Sequence, residues 1–80
     1  MKIDILNIIA ECSDFSGQEV VLNSSEKNRI ITFTFEWNEL DESHNIEYTI
    51  ADWEIEKFCP DTLDEVLIGK FKFEYSDRFR

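Results

Sequence analysis

The fold of this chain is decided by residues 30–37, which read IITFTFEW. In this stretch Ile31, Phe33, Phe35 and Trp37 take every second position and alternate with a mostly polar set. A period of two in β-branched and aromatic residues is typical of a strand with one face buried in a core. The stretch therefore predicts a β-strand that supplies much of the hydrophobic core.

Further strands are predicted on both sides of this one. Residues 45–50 repeat the alternation and are predicted to form a strand. A shorter strand is predicted at residues 18–22, and another strand, with an aromatic side, at residues 70–75. Two polar segments connect these strands. They are a turn at residues 23–28 and a longer hairpin loop at residues 39–44, which contains no glycine.

The first helix is predicted at the start of the chain. Ile5, Leu6, Ile9 and Cys12 recur at helical spacing, and Asp4 stands where a side chain caps the helix N-terminus. A strand at residues 2–9 is the competing interpretation.

The second helix is predicted after residue 62. Residues 62–65, which read TLDE, match a capping box, and Leu63, Val66 and Leu67 follow at helical spacing. Gly69 then stands at a position typical of a helix C-terminus, so we expect the helix to end there.

Residues 51–58 fit two structures. The alternation slips by one position after Ile50, and Ala51, Trp53 and Ile55 then continue it. A β-bulge near residues 51–52 explains this slip and favours a continued strand, while a helix of one or two turns is the alternative. With the other elements, this predicts a single α+β domain spanning residues 1–80. We expect a mainly antiparallel sheet of three to four strands with one or two helices, and a mostly β fold as the alternative.

The composition excludes several classes of protein. The chain has 80 residues, with 18 acids against 8 bases and a formal net charge of −10. A protein this acidic lacks the clustered Lys and Arg that bind nucleic acid directly. Its 42% hydrophobic content is too high for a disordered acidic tail, and its apolar runs are too short to span a membrane. Two cysteines, Cys12 and Cys59, fit free thiols in a cytoplasmic protein, with a disulfide between them as the alternative.

No motif for catalysis or for cofactor binding is present. His44 is the only histidine, the two cysteines are far apart, and neither glycine begins a phosphate-binding loop. The acidic residues lack the spacing of a calcium loop. We therefore expect no enzyme, no metal site and no cofactor, and an enzyme that uses carboxylates is the least favoured function.

The acidic residues are concentrated in the middle of the chain. Residues 36–65 contain eleven acids and a single base, Lys57, so their net charge of −10 equals that of the whole chain. If residues 46–56 form a strand, Asp52, Glu54 and Glu56 point to one side in a row of carboxylates. Such a surface is suited to occupy the basic nucleic-acid channel of a partner protein. The predicted contact residues are Glu36, Glu39, Asp41, Glu42, Glu47, Asp52, Glu54 and Glu56.

In size and charge alone, this profile resembles two groups of acidic proteins. One group comprises the phage- and mobile-element-encoded inhibitors of host defence nucleases, which include anti-CRISPR proteins and other DNA mimics. The other comprises the immunity proteins that neutralise nuclease toxins. The resemblance implies a basic nuclease or nucleic-acid-binding protein as the partner, with no direct contact to nucleic acid or membrane.

Two alternatives remain open. The chain fits an assembly protein that forms homodimers or larger oligomers through an edge strand, either residues 18–22 or residues 70–75. The acidic run also fits a solvated surface that serves solubility alone.

Overall fold

The computed structural model describes residues 3–58 and 62–79 and confirms the α+β class. The three strands form one antiparallel sheet in the order β1-β2-β3. Two long helices and a short one accompany the sheet. In chain order the elements are α1 (Ile5–Ser16), β1 (Val21–Lys27), β2 (Ile30–Glu39), β3 (Glu42–Ala51), α2 (Asp52–Phe58) and α3 (Leu63–Phe79).

The predicted core strand is the central strand of the sheet. Ile31, Phe33, Phe35 and Trp37 of β2 are all buried, as their alternation predicted. They pack against buried residues of both long helices, and the ring centroids of Phe35 and Phe71 lie 5.2 Å apart. The opposite side of the sheet carries Thr32, Thr34 and Glu36 of β2 with their neighbours on β1 and β3. This side, called the open face below, does not contribute to the core.

Helix α1 forms where the capping signal predicted it. The Asp4 side chain accepts a hydrogen bond from the Asn7 N–H at 3.1 Å. The helix ends at Gly17, whose φ of 73° is left-handed and whose N–H donates to the Ser13 carbonyl at 2.8 Å. The alternative of a strand at residues 2–9 is wrong. The buried residues of this helix are Ile8 and Cys12, whereas the side chain of Leu6 is 81% exposed.

Helix α3 starts as predicted, with the Val66 N–H donating to the Thr62 carbonyl at 3.0 Å, but it does not end at Gly69. It continues to Phe79, so the predicted strand at residues 70–75 is wrong. The reason is a stripe at a spacing of four residues, in which Leu67 and Phe71 are buried and Tyr75 packs against the core. Burial of this stripe outweighs the cost of a helical glycine, which is about 1 kcal/mol.

Helices α1 and α3 lie side by side and run in the same direction. At their N-terminal ends, the Asp4 N–H donates to Asp64 Oδ2 at 3.2 Å. At their C-terminal ends, the Tyr75 hydroxyl donates to the Ser16 carbonyl at 3.3 Å.

Residues 52–58 form helix α2, so the continued strand that the alternation favoured is wrong. The strand ends at Ala51, whose N–H donates to Glu54 Oε1 at 3.4 Å. This is the reciprocal contact of a capping box, and acids in the first turn favour a helix N-terminus. Ile55 is buried while Trp53 is 55% exposed, so the apolar residues of α2 do not share one side as they would on a strand.

Both hairpins close through two-residue turns that contain no glycine. Asn28 and Arg29 have φ of 54° and 65°, and Leu40 and Asp41 have φ of 54° and 64°. The predicted turn at 23–28 and loop at 39–44 are therefore too long, and strands occupy most of both segments. The shorter strand predicted at residues 18–22 begins later than expected, because β1 spans Val21–Lys27. Positive φ at both positions is the type I′ geometry that matches the twist of paired strands.

Leu40 is an unfavourable residue for its turn, and replacing it is expected to stabilise the protein. A left-handed conformation costs an L-residue with a Cβ about 1–2 kcal/mol, and Asn tolerates it best after Gly. Because Leu40 is 91% exposed, Leu40→Asn removes little buried surface. We expect the free energy of unfolding, measured in urea, to rise by about 1 kcal/mol. Leu40→Ala lacks the polar side chain with which Asn hydrogen-bonds to its own backbone, so it serves as the control, and an equal gain in Leu40→Ala would contradict the turn conformation as the cause.

Cys12 is a free thiol within the core. Burial raises its pKa from 9.0 to about 12, against a smaller opposite effect of Lys72. Because the folded protein keeps this proton longer than the unfolded chain, the stabilising contribution is complete below pH 9 and is lost as the pH rises towards 12. We expect Cys12→Ala to flatten the alkaline loss of stability by up to about 1.4 kcal/mol per pH unit. The free energy of unfolding of both proteins is measured in urea at a series of pH values. The same slope against pH for the two proteins above pH 9 would contradict this prediction.

Candidate functional site

The end of the sheet formed by β2 and β3 collects most of the predicted contact residues. Residues 36–47, called the acidic hairpin below, contain no lysine or arginine. They comprise the end of β2, the turn at Leu40 and Asp41, and the start of β3. The five carboxylates brought together here are Glu36, Glu39, Asp41, Glu42 and Glu47.

The carboxylates surround the hairpin on both sides. Glu36 and Glu47 belong to the open face, and the Asn23 side chain donates to Glu36 Oε2 at 3.2 Å. Glu39 and Glu42 lie directly opposite each other, on the side that faces the helices. Like charges at directly opposed positions destabilise a hairpin. The negative charge is therefore concentrated at a cost in stability.

Glu39 connects the acidic hairpin to the helices. Its side chain is half-buried, and the Tyr75 hydroxyl lies close enough to the Glu39 carboxylate for the negative charge to affect the pKa of the tyrosine. The pKa of Tyr75 is raised first by burial and then by the negative charge of Glu39. Arg78, on the same helix, donates to the Asn45 carbonyl at 3.1 Å. These contacts hold the hairpin end against the C-terminal half of α3.

The tip of the acidic hairpin presents an apolar side chain. Leu40 is 91% exposed, and its neighbours in sequence on both sides are acids, Glu39 and Asp41. A large exposed apolar residue enclosed by charged ones is an arrangement that protein interfaces use, with the apolar group at the centre and charges at the rim.

The other three predicted contact residues lie elsewhere, and the predicted row of carboxylates does not exist. Asp52, Glu54 and Glu56 belong to helix α2, where alternate residues point in nearly opposite directions. Asp52 also pairs with Arg29 of the β1–β2 turn at 3.3 Å, which neutralises part of its charge. The structure thus separates these residues from the acidic hairpin.

A cleft of about 630 Å³ adjoins the acidic hairpin where β1 diverges from β2. The ring of His44 stacks on that of Trp37, with centroids 5.7 Å apart and planes at 27°. His44 was predicted to lie in the hairpin loop, but it belongs to β3 and is half-buried. Sequence reasoning missed this site because its residues come from separate segments. The lining consists of Gln18, Glu19, Val21, Glu36, Trp37, Asn38, Ser43, His44 and Asn45.

Residues 3–58 and 62–79, the part of the chain that the structure describes, contain neither a cluster of metal ligands nor a membrane-spanning helix. No group of three or more His, Cys, Asp or Glu side chains is placed to hold a metal ion. No helix in that part of the chain is long and apolar enough to cross a membrane. Cys59, the second predicted free thiol, lies outside the described residues.

Comparison of the chain with models of protein families, with curated proteins and with solved structures finds no match.

The contact between Glu39 and Tyr75 can be tested by titration. Because the carboxylate helps to raise the pKa of Tyr75, Glu39→Gln is expected to lower it towards its ordinary value of 10.0. Burial remains, so part of the shift persists. The phenol is followed by ultraviolet absorption in a Tyr48→Phe background, because the chain has 2 tyrosines. Glu36→Gln on the open face is the control and leaves this pKa unchanged. An unchanged pKa in Glu39→Gln would rule out the contact.

Proposed function

We propose that this protein is a small acidic binding module. In this proposal it inhibits a basic nucleic-acid-handling protein, such as a nuclease, by placing the acidic hairpin on the surface that binds nucleic acid. The observation that carries the proposal is the collection of five carboxylates, with no lysine or arginine among them, at one end of the molecule. The cytoplasm, where nucleases and their substrates meet, is the proposed setting.

The local density of negative charge, rather than its spacing, supports a mimic of a nucleic-acid strand. Side chains on one face of a strand repeat every ~6.7 Å, whereas a nucleic-acid strand carries a charge about every 3.4 Å. A single row of carboxylates therefore has about half the required density. The acidic hairpin has a second strand ~4.8 Å away, and its carboxylates are divided between the two sides of the hairpin and the turn, so it concentrates negative charge without reproducing the regular spacing of phosphates.

The stability costs of the acidic hairpin also support an interaction role. Glu39 opposes Glu42, and Leu40 occupies a left-handed position at the tip. Each feature opposes folding, and neither one fills the core. Residues that destabilise a fold without contributing to its core are frequent at binding surfaces.

The test uses two double variants with the same change in net charge. Asp41→Lys with Glu42→Lys alters the acidic hairpin, whereas Glu26→Lys with Glu65→Lys alters exposed acids that are not among the predicted contacts. The wild-type protein is immobilised, and proteins retained from a cell lysate are eluted with salt and identified. A retained nucleic-acid-binding protein is then assayed with labelled DNA or RNA in the presence of each variant.

We expect the wild type to compete with the nucleic acid, and the hairpin variant to compete about tenfold less well, which corresponds to 1.4 kcal/mol. The control variant is expected to stay within about twofold of the wild type. An equal loss of competition in both variants would contradict the role of the acidic hairpin, because net charge alone would then explain the inhibition. Retention of no nucleic-acid-binding protein would contradict the proposed function.

A further inference from the structure

We propose that the cleft beside the acidic hairpin binds an arginine side chain of the partner protein. This inference rests on the proposed function, because it names the chemical group of the partner that enters the cleft. The cleft has a volume of about 630 Å³, within the range of about 300–1,000 Å³ typical of ligand sites.

The charge of the lining selects a cation. Glu19 and Glu36 contribute carboxylates, and none of the lining residues is a lysine or an arginine. Glu19 is exposed and comes from the segment before β1, while Glu36 comes from β2, so carboxylates reach the cleft from two elements. An anionic ligand is therefore disfavoured, and a cationic one is attracted from two directions.

The main chain at the cleft favours a ligand that carries several hydrogen-bond donors. The pairing of β1 with β2 ends at Val21 and Glu36, whereas β2 stays paired with β3 as far as Glu39. In the alternation of an antiparallel sheet, the N–H and C=O of Asn38 face the side that β1 has left. The Asn38 carbonyl thus has no strand to pair with there and can accept a hydrogen bond from a ligand.

A guanidinium group meets these requirements better than an ammonium group. Its five donors form a planar fork that reaches two acceptors at once, such as a carboxylate and a carbonyl. The apolar stem of the same side chain can pack on Val21, which is 46% exposed. A main-chain carbonyl of the acidic hairpin already accepts from one guanidinium, because Nη1 of Arg78 donates to the carbonyl of Asn45 at 3.1 Å.

The experiment is a titration of the ¹⁵N-labelled full chain with three short peptides, followed by NMR. The probes are acetyl-Gly-Arg-Gly-amide, the same peptide with lysine, and the same peptide with citrulline, which is an uncharged analogue of arginine. We expect the arginine peptide to shift the amide signals of Asn38 and His44 most strongly. The lysine peptide is expected to bind more weakly, and the citrulline peptide to cause no saturable shift.

Variants test whether the cleft is the site. Glu19→Gln is expected to weaken binding of the arginine peptide by about two- to fivefold, the range of exposed ion pairs. Glu26→Gln, an exposed acid outside the lining, is the matched control and should leave the affinity unchanged. Shifts spread evenly over the acidic surface, equal binding of all three peptides, or equal effects of the two variants would each overturn the proposal.

The two proposals can fail separately. Glu19 lies outside the acidic hairpin, and Asp41 and Glu42 lie outside the cleft. If the hairpin variant competes normally but Glu19→Gln weakens the arginine peptide, the cleft stands and the inhibitor proposal falls. If the hairpin variant loses competition while Glu19→Gln binds the peptide as the wild type does, the inhibitor proposal stands and the cleft proposal falls.

Discussion

The packing of β2 against α3 is the contact on which the rest of the structure depends. Phe35 and Phe71 are both fully buried, and the ring of Trp37 also packs on that of Phe71, with centroids 5.6 Å apart. In a chain of 80 residues, few side chains are large enough to bury a comparable apolar area. This contact fixes which side of the sheet is covered. It consequently also determines that Glu36 and Glu47 remain on the open face.

The sequence was most informative where one periodicity acted alone. The alternation of residues 30–37 identified the central strand, and the capping residues Asp4 and Thr62 marked the start of both long helices. It failed at residues 70–75, where an alternating pattern and a helical stripe share the same aromatic residues. Only the position of the sheet decides between them, because Phe71 can reach Phe35 from a helix.

The turns and the cleft were beyond the reach of sequence reasoning for different reasons. Two-residue turns are usually recognised by glycine, and neither turn here contains one. Five of the eight predicted contact residues are brought together because they belong to one hairpin. The other three lie on α2, since the capping contact of Ala51 with Glu54 converts the expected strand into a helix. The cleft needs Glu19 and Asn38 to meet, which only tertiary structure arranges.

The shared direction of α1 and α3 has an electrical consequence. The peptide dipoles of a helix leave a partial negative charge, roughly half an elementary charge, at its C-terminus. Both long helices end beside the acidic hairpin, because Tyr75 of α3 contacts Ser16 of α1 and the ring of Trp37, and Arg78 donates to Asn45. Their dipoles therefore add to the field of the carboxylates, with only partial compensation by the cationic Arg78. The negative helix ends therefore strengthen the attraction of the acidic hairpin for a cation that comes within about 8 Å, the screening length at physiological salt.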